Sequence, residues 1–598
     1  MGKLPSMPRK DKIYTTEQVS FGGLRHFANC GEGEIYDMEN MVCDEYPALS
    51  VRKERTGIES IGESVQQIYA DNGVILSVRD NCLYYNDLLM AHDIPYRTKF
   101  VRFGNRVVMM PGKCLLNLNY KILGFADPEN MPESPGEEDC YAVLDQWGEY
   151  KLMIYHEGNW TDGGYFAEDI EFTTMFAIPA YFENGKINNK EAKANTLRFV
   201  GLPLSENTGP SRLKEGDAVQ IEGCTVKSQN NKIAIIREIT EDENGNMVLC
   251  FSEYCFSLPE EDGTMVESYR EDGVIVKRTM PDVEILFEHG NRLWGAKGKE
   301  IFASKVGDPR NWNSFDGLAS DSWYLASQGK GEVTAGISYG YPRFFKEGSM
   351  MTVYGSVPSA YQITEQQILG VKAGEDKSLI QCNGLLLWLS PKGMVIYNGS
   401  TVALQEQALG DYELQEIIGC GDERYAFFGG YLGKRISGKK VQSILRFDTE
   451  KKLWTKESNS PGIDCMTFDD GAVYGLLLGG QVKVLNGGKV TGANQQEGAI
   501  DSYVEFGDFT EGTGKRKGVS RLRIRLSVEK ESYVRLLIRY DSEGEWKSLR
   551  RIEHQGKGIV SVPVIPRRCD HYRIRLEGCG QWKLYGMERE RYFGTDVF

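Results

Sequence analysis

Ile285-Leu286-Phe287-Glu288-His289-Gly290-Asn291-Arg292-Leu293-Trp294-Gly295, followed by Ile301-Phe302-Ala303-Ser304, is the stretch on which the fold turns. It reads as a short apolar strand, a Gly-Asn pair, a second strand carrying a Trp, and a third strand. A two-residue hairpin that matches the twist of its strands needs positive φ, which Gly, Asn and Asp tolerate. The same order recurs around Asn72-Gly73, Gly104-Asn105, Asn383-Gly384 and Asp470-Gly471, each between runs of β-branched, aliphatic or aromatic residues. Hairpins spaced by about 40–50 residues are the mark of propeller blades. The expected fold is therefore all-β: a β-propeller with an inserted small β-barrel and a C-terminal β-sandwich or jelly-roll-like domain.

Composition agrees. The 67 glycines against 20 prolines in 598 residues call for many tight turns, and an aromatic share of 11% suits strands. A chain of this length exceeds one core, so several domains are expected. Residues 1–60 read as an extended interaction segment and 61–134 as the first blades. Residues 135–280 read as the inserted β domain, where Gly216–Cys224, 231–237 and 246–251 space like barrel strands. Residues 281–490 hold the remaining blades and 491–598 the C-terminal sandwich.

In that last domain Ser520-Arg521-Leu522-Arg523-Ile524-Arg525-Leu526-Ser527 and His571-Tyr572-Arg573-Ile574-Arg575-Leu576 alternate strictly. Period two commits one sheet face to the core and the other to arginine. Arg521, Arg523, Arg525, Arg573 and Arg575 are the candidate subunit interface. The plainer reading is a solvated face with cross-strand glutamates.

Charge is uneven. Residues 501–598 hold 20 Lys+Arg against 15 Asp+Glu, whereas the formal charge of the whole chain is −15. An acidic body argues against binding driven by the DNA backbone. Thirteen cysteines without a CxxC spacing point to a reducing place of assembly. The polar, basic start lacks the apolar core of a signal peptide, and the longest apolar run, 385–389, is far below a membrane span.

Six histidines show no metal-binding spacing, and no GxSxG elbow or P-loop occurs. Each histidine is expected in a turn or at the surface. No catalytic, cofactor or metal residue is expected, and no cofactor. The acidic runs 137–139, 241–243 and 260–262 read as solvated loops, and 242–246 as a poor calcium loop.

Several motifs carry a resemblance. Tyr425-Ala426-Phe427-Phe428-Gly429-Gly430, Leu445-Arg446-Phe447-Asp448-Thr449 and Trp454 resemble a kelch blade. Phe21-Gly22-Gly23-Leu24, Glu34–Met41 and Tyr46-Pro47-Ala48-Leu49-Ser50-Val51-Arg52 resemble the opening of tail proteins of Firmicutes phages and prophages. The 290–295 stretch with Gly307-Asp308-Pro309-Arg310-Asn311-Trp312 is similar to a blade of propeller-bearing phage tail proteins, including short-tailed phage nozzle proteins. The 565–576 stretch resembles the closing domain of the same group.

The resemblance implies a structural, non-enzymatic virion tail component, nozzle-like or at the tail tip, made in the host bacterial cytoplasm. It further implies a homo-oligomeric ring, contacts with adaptor, spike or tip proteins, DNA passing without sequence-specific binding, and no membrane span. The alternative is a host-glycan-binding or glycosidase-type propeller, a receptor-binding tail protein. Two carboxylates with exposed aromatics in one pocket would favour that alternative.

Overall fold

The glycine-bearing pairs sit where the hairpin argument puts them. The computed structural model describes residues 13–27, 29–58, 61, 64–95, 97–174, 178–185, 193–261, 264–434, 440–458, 462–488, 490, 493–565 and 567–593. Gly290-Asn291, Asn383-Gly384 and Asp470-Gly471 each hold two successive positive φ angles, between 42° and 75°. That is the geometry of a turn whose twist matches its strands. Each pair joins the first two strands of an antiparallel sheet, four-stranded for the first two pairs and five-stranded for the third. The fold is all-β and of propeller type, with Glu406–Leu409 the one α-helix among the described residues. Two compact units divide the chain, residues 76–370 and residues 1–75 with 371–598.

In the 76–370 unit one blade is Ile285–His289, Arg292–Lys297, Glu300–Ala303 and Trp323–Ala326. The next is Ala335–Tyr339, Tyr341–Lys346, Ser349–Tyr354 and Gln362–Gln367. Their first strands lie together, and Ile285, Phe287, Trp294, Phe344 and Met351 fill the space between the sheets. Gly336 permits this approach, because a Cβ there would lie 2.6 Å from the Phe287 ring.

The motif around Trp294 is structural. Arg292, buried, donates to the carbonyls of Ser304, Ala319 and Asp321 and so ties down the loop before the fourth strand. Trp312 is buried and donates to the Pro309 carbonyl at 2.8 Å.

A third blade, Lys99–Phe103, Arg106–Met110 and Cys114–Asn117, takes Ala167–Asp169 as its outer strand. A separate sheet, Ile122–Ala126, Cys140–Leu144, Tyr150–His156 and Asn159–Tyr165, comes between its third and fourth strands. A closed six-stranded barrel follows, because Ser268–Arg278 pairs with both Ile178–Glu183 and Ala218–Glu222. Phe182, Phe199, Phe251, Phe256 and Leu249 build its own core.

In the other unit, Ile380–Cys382 and Tyr412–Gly421 begin two further blades, and Ile463–Asp469 a third. The fourth strand of that last blade comes from the opposite end of the chain: Thr56–Ile58 pairs with Val482–Val484. Val65–Asp71 then packs on Ile463–Asp469 around Ile68, Ala70 and Tyr474.

The rest of this unit is a sandwich of two antiparallel sheets. One runs Ile35–Glu39, Asp501–Phe506, Tyr572–Cys579, Tyr533–Tyr540, Glu543–Ile552. The other runs Met41–Val42, Leu49–Val51, Trp582–Phe593, Lys517–Val528, Gly556–Pro563, with Tyr14–Gln18 also on Trp582–Phe593. The stretch expected to be an extended segment thus supplies strands to both sheets and to a blade. Residues 1–12 lie outside the described residues.

Candidate functional site

The arginines singled out by alternation divide between the two sheets of the sandwich. Leu522, Ile524 and Leu526 are buried, as period two requires, and Arg521, Arg523 and Arg525 point away from them. Arg523 pairs with Glu588 and Glu590 on the adjacent strand, and Arg521 lies 3.5 Å from Glu590. Arg525 stands opposite Gly586 and has no ion-pair partner among the described residues.

Arg573 and Arg575 belong to the other sheet, so they face outward on the opposite side. Arg573 donates to Asp508 at 2.5 Å and to Glu505 at 3.0 Å. Burial raises the Asp508 carboxyl, but the hydrogen bonds and charge of Arg573 outweigh it and hold Asp508 below its ordinary range. The five arginines do not form one patch.

Arg575 leads to a different feature. Glu39, Tyr503, Glu577 and Arg535 are successive cross-strand neighbours over four strands of one sheet. With Tyr533, Asp501 and Arg575 they line a cleft of about 360 Å³. Arg575 lies over the Tyr503 ring at 3.9 Å and 2.9 Å from Glu577. Arg535 donates to the other oxygen of Glu577 at 3.0 Å. Arg551 covers the Tyr533 ring at 3.8 Å.

The Tyr503 hydroxyl donates to Asp37 at 3.1 Å, and Asp37 is neutralised by the buried ammonium of Lys456 at 2.5 Å. Glu39 differs from its neighbours: its carboxyl has no hydrogen bond or ion pair to a described residue. Burial pushes its carboxyl up, Lys456 pulls it down and Asp37 pushes it up again, with a net rise. The cleft therefore joins two tyrosine rings, each with one face against an arginine, two guanidinium groups and a carboxyl that holds its proton more tightly than usual.

Sequence reasoning found only Arg575 of this group. Glu39 lies more than 450 residues from the rest, and Tyr503, Tyr533, Arg535 and Glu577 come from three strands with no spacing to connect them. One signal was available: the alternation through Arg573 and Arg575 continues to Glu577.

Other candidates resolve plainly. Asp242 accepts from the backbone of Asn244 at 2.8 Å and of Asn246 at 2.9 Å, so the weak calcium loop is a hairpin turn held by its own aspartate. Glu137 and Glu138 approach His156 at 2.7 and 3.1 Å on an exposed surface. The side chains of 260–262 lie outside the described residues. His26, expected in a turn or at the surface, is 1% exposed and stacked on Tyr412 at 3.9 Å. The ring that covers it lies nearly 400 residues away, so no local pattern announces its burial.

No protein family matches this chain in a family scan, and no curated protein matches its sequence. Solved structures align with the fold at low similarity. An exo-β-1,3-galactanase from Phanerochaete chrysosporium aligns at 11% identity and TM-score 0.19, over 51% of this chain and 94% of its own. The phage phi92 endosialidase aligns at 8% identity and TM-score 0.21, over 70% and 63%. A family 43 arabinoxylan arabinofuranohydrolase from Bacillus subtilis aligns at 8% and 0.14, over 83% and 95%.

The expectation of a non-enzyme is corrected: the three solved structures just named are glycosidases, and that reading is withdrawn. The physical reason is that a carboxylate pair drawn from separate strands leaves no motif in the sequence. At these TM-scores the alignments assign no activity, substrate or catalytic residue to this chain.

Proposed function

We propose that the protein is a glycan-recognising component of a phage tail, with the sandwich cleft as its saccharide site. The observation that carries this is the cleft itself: Tyr503 and Tyr533 beside Arg535, Arg575, Glu577 and Glu39. A sugar ring presents an apolar face and a rim of hydroxyls that both donate and accept. Tyrosine rings match the face, guanidinium groups donate to the rim, and carboxylates accept from it. The tail assignment rests on the resemblance of the opening, blade and closing segments to phage tail proteins. Contacts with neighbouring tail proteins belong to the same proposal, and Arg525 is the ladder residue left to make one.

The test is binding of the full chain to a panel of bacterial surface oligosaccharides, followed by titration of the best ligand. Tyr533→Ala and Arg535→Ala are each expected to weaken binding at least tenfold without changing the melting temperature. Binding unaffected by both substitutions would sink the cleft as the site.

Hydrolysis is a second reading, favoured by one observation. Glu39, its carboxyl unpaired among the described residues and raised by burial, stands two strands from Glu577 across Tyr503, a backbone distance of about 9–10 Å. Inverting glycosidases place an acid and a base about 6.5–9.5 Å apart at the carboxyls. Release of reducing ends from a bound oligosaccharide, lost in Glu39→Gln while binding persists, would establish it. Absence of cleavage by the native chain leaves recognition alone.

A further inference from the structure

A second polar cleft lies in the other unit, at the hairpin tips of two neighbouring blades. It measures about 430 Å³ and is lined by Phe103, Asn105, Arg106, Asn119, Asn291 and Pro309. Arg106 begins the second strand of its blade and is half-buried. Among the described residues it has no carboxylate within ion-pair distance and no hydrogen-bond acceptor. The side-chain amides of Asn105, Asn119 and Asn291 likewise bond to no other described residue.

The carboxylates close in sequence to Asn291 and Pro309 are taken. Glu288 accepts from the Asn291 backbone at 2.8 Å. Asp308 accepts from the backbone of Arg310 at 3.0 Å and lies 3.3 Å from its guanidinium. Arginines elsewhere in this chain are commonly paired, as Arg523, Arg535, Arg573 and Arg575 are. An unpaired guanidinium flanked by three free amides and no lining carboxylate is an arrangement for a planar or tetrahedral anion, with hydroxyls beside it for the amides.

We infer that this cleft binds the anionic group, carboxylate or phosphodiester, of an acidic glycan polymer. The inference rests on the glycan reading for the polymer but not for the anion, and it uses no residue of the sandwich cleft. It gives the chain a charge-selective subsite on its blades, where a body of net negative charge would otherwise repel such a polymer.

The experiment is calorimetric titration of the full chain with tetragalacturonate, with its methyl ester and with poly(glycerol phosphate). Native protein, Arg106→Ala, Arg106→Lys and Tyr533→Ala are compared, each checked for an unchanged melting temperature. At least one acidic polymer is expected to bind, more weakly as salt rises, and the ester at least tenfold more weakly than the free acid. Arg106→Ala should lose at least tenfold and Arg106→Lys less.

Selectivity for one acidic polymer identifies the anion as carboxylate or as phosphodiester, and either supports the site. Equal binding of acid and ester, indifference to Arg106→Ala, or no binding of either acidic polymer by the folded native chain overturns it. Charge-dependent binding that survives Tyr533→Ala supports this site even where the sandwich cleft fails. Neutral binding lost only in Tyr533→Ala upholds the sandwich cleft and removes this one.

Discussion

Arg278 and Asp217 are both buried and hydrogen-bonded at 2.5 Å, and they link the barrel to its neighbouring blade. Arg278 also donates to the carbonyls of Ile170 at 2.6 Å and Asp169 at 2.7 Å, where the blade's outer strand ends. Removing one partner of such a pair strands a charge away from water. Asp217→Ala is expected to cost about 3–5 kcal/mol, measured by denaturant unfolding; a loss below 1 kcal/mol would show the pair to be solvated.

Glu39 makes the opposite case. Its folded-state carboxyl is raised by burial, so the folded chain holds that proton more tightly than the unfolded one. The stability tied to this group is present below the ordinary glutamate value of 4.5 and is lost as pH rises through the folded value. Glu39→Gln is therefore expected to melt higher than the native chain at neutral pH and alike at pH below 4. A variant less stable at neutral pH would mean that the carboxylate is paired.

At the level of strands, close approach between blades depends on glycine. Gly419 lies on the first strand of its blade, and a Cβ there would sit 2.7 Å from Ile380 on the neighbouring first strand and 3.1 Å from the Phe428 ring. Gly419→Val is expected to cost about 1–3 kcal/mol through overpacking, read from the urea midpoint; an unchanged midpoint would show slack between these strands. The arginine strand 517–528 gives a contrasting expectation. Arg523→Glu with Arg525→Glu should leave the chain folded, because Leu522, Ile524 and Leu526 carry the packing. The melting temperature should drop by a few degrees, since Glu588 and Glu590 then face like charge. Complete unfolding would contradict the register.

These strands also show what the sequence could reveal. Gly290-Asn291, Asn383-Gly384 and Asp470-Gly471 announce hairpins because positive φ is a local demand, and the 520–527 alternation announces a half-buried strand for the same reason. Tyr14–Gln18 and Ile35–Glu39 announce nothing. They are short and rich in polar residues, and they become strands only on partners about 470 or more residues away. The cleft was hidden for that reason: Glu39 and Glu577 meet through pairing that no local pattern encodes.

Over the whole chain, the repeat that reads as blades is joined by added sheets: the barrel, the 122–165 sheet and the sandwich. The barrel and the 122–165 sheet interrupt the blade series without breaking its hairpin grammar, since each has its own strands and the barrel its own core. The sandwich draws on both ends of the sequence, so the Tyr503 cleft exists only once Ile35–Glu39 has joined Asp501–Phe506. Deletion of residues 13–42 is accordingly expected to abolish glycan binding even where the blades still fold.

The measurement that bears most directly on the glycan-recognition claim is an experimental structure of the full chain with its best-binding oligosaccharide. The account requires a sugar ring against Tyr503 or Tyr533, with its hydroxyls within hydrogen-bond distance of Arg535 and Glu577. A saccharide bound elsewhere, with this cleft filled only by water, would contradict it.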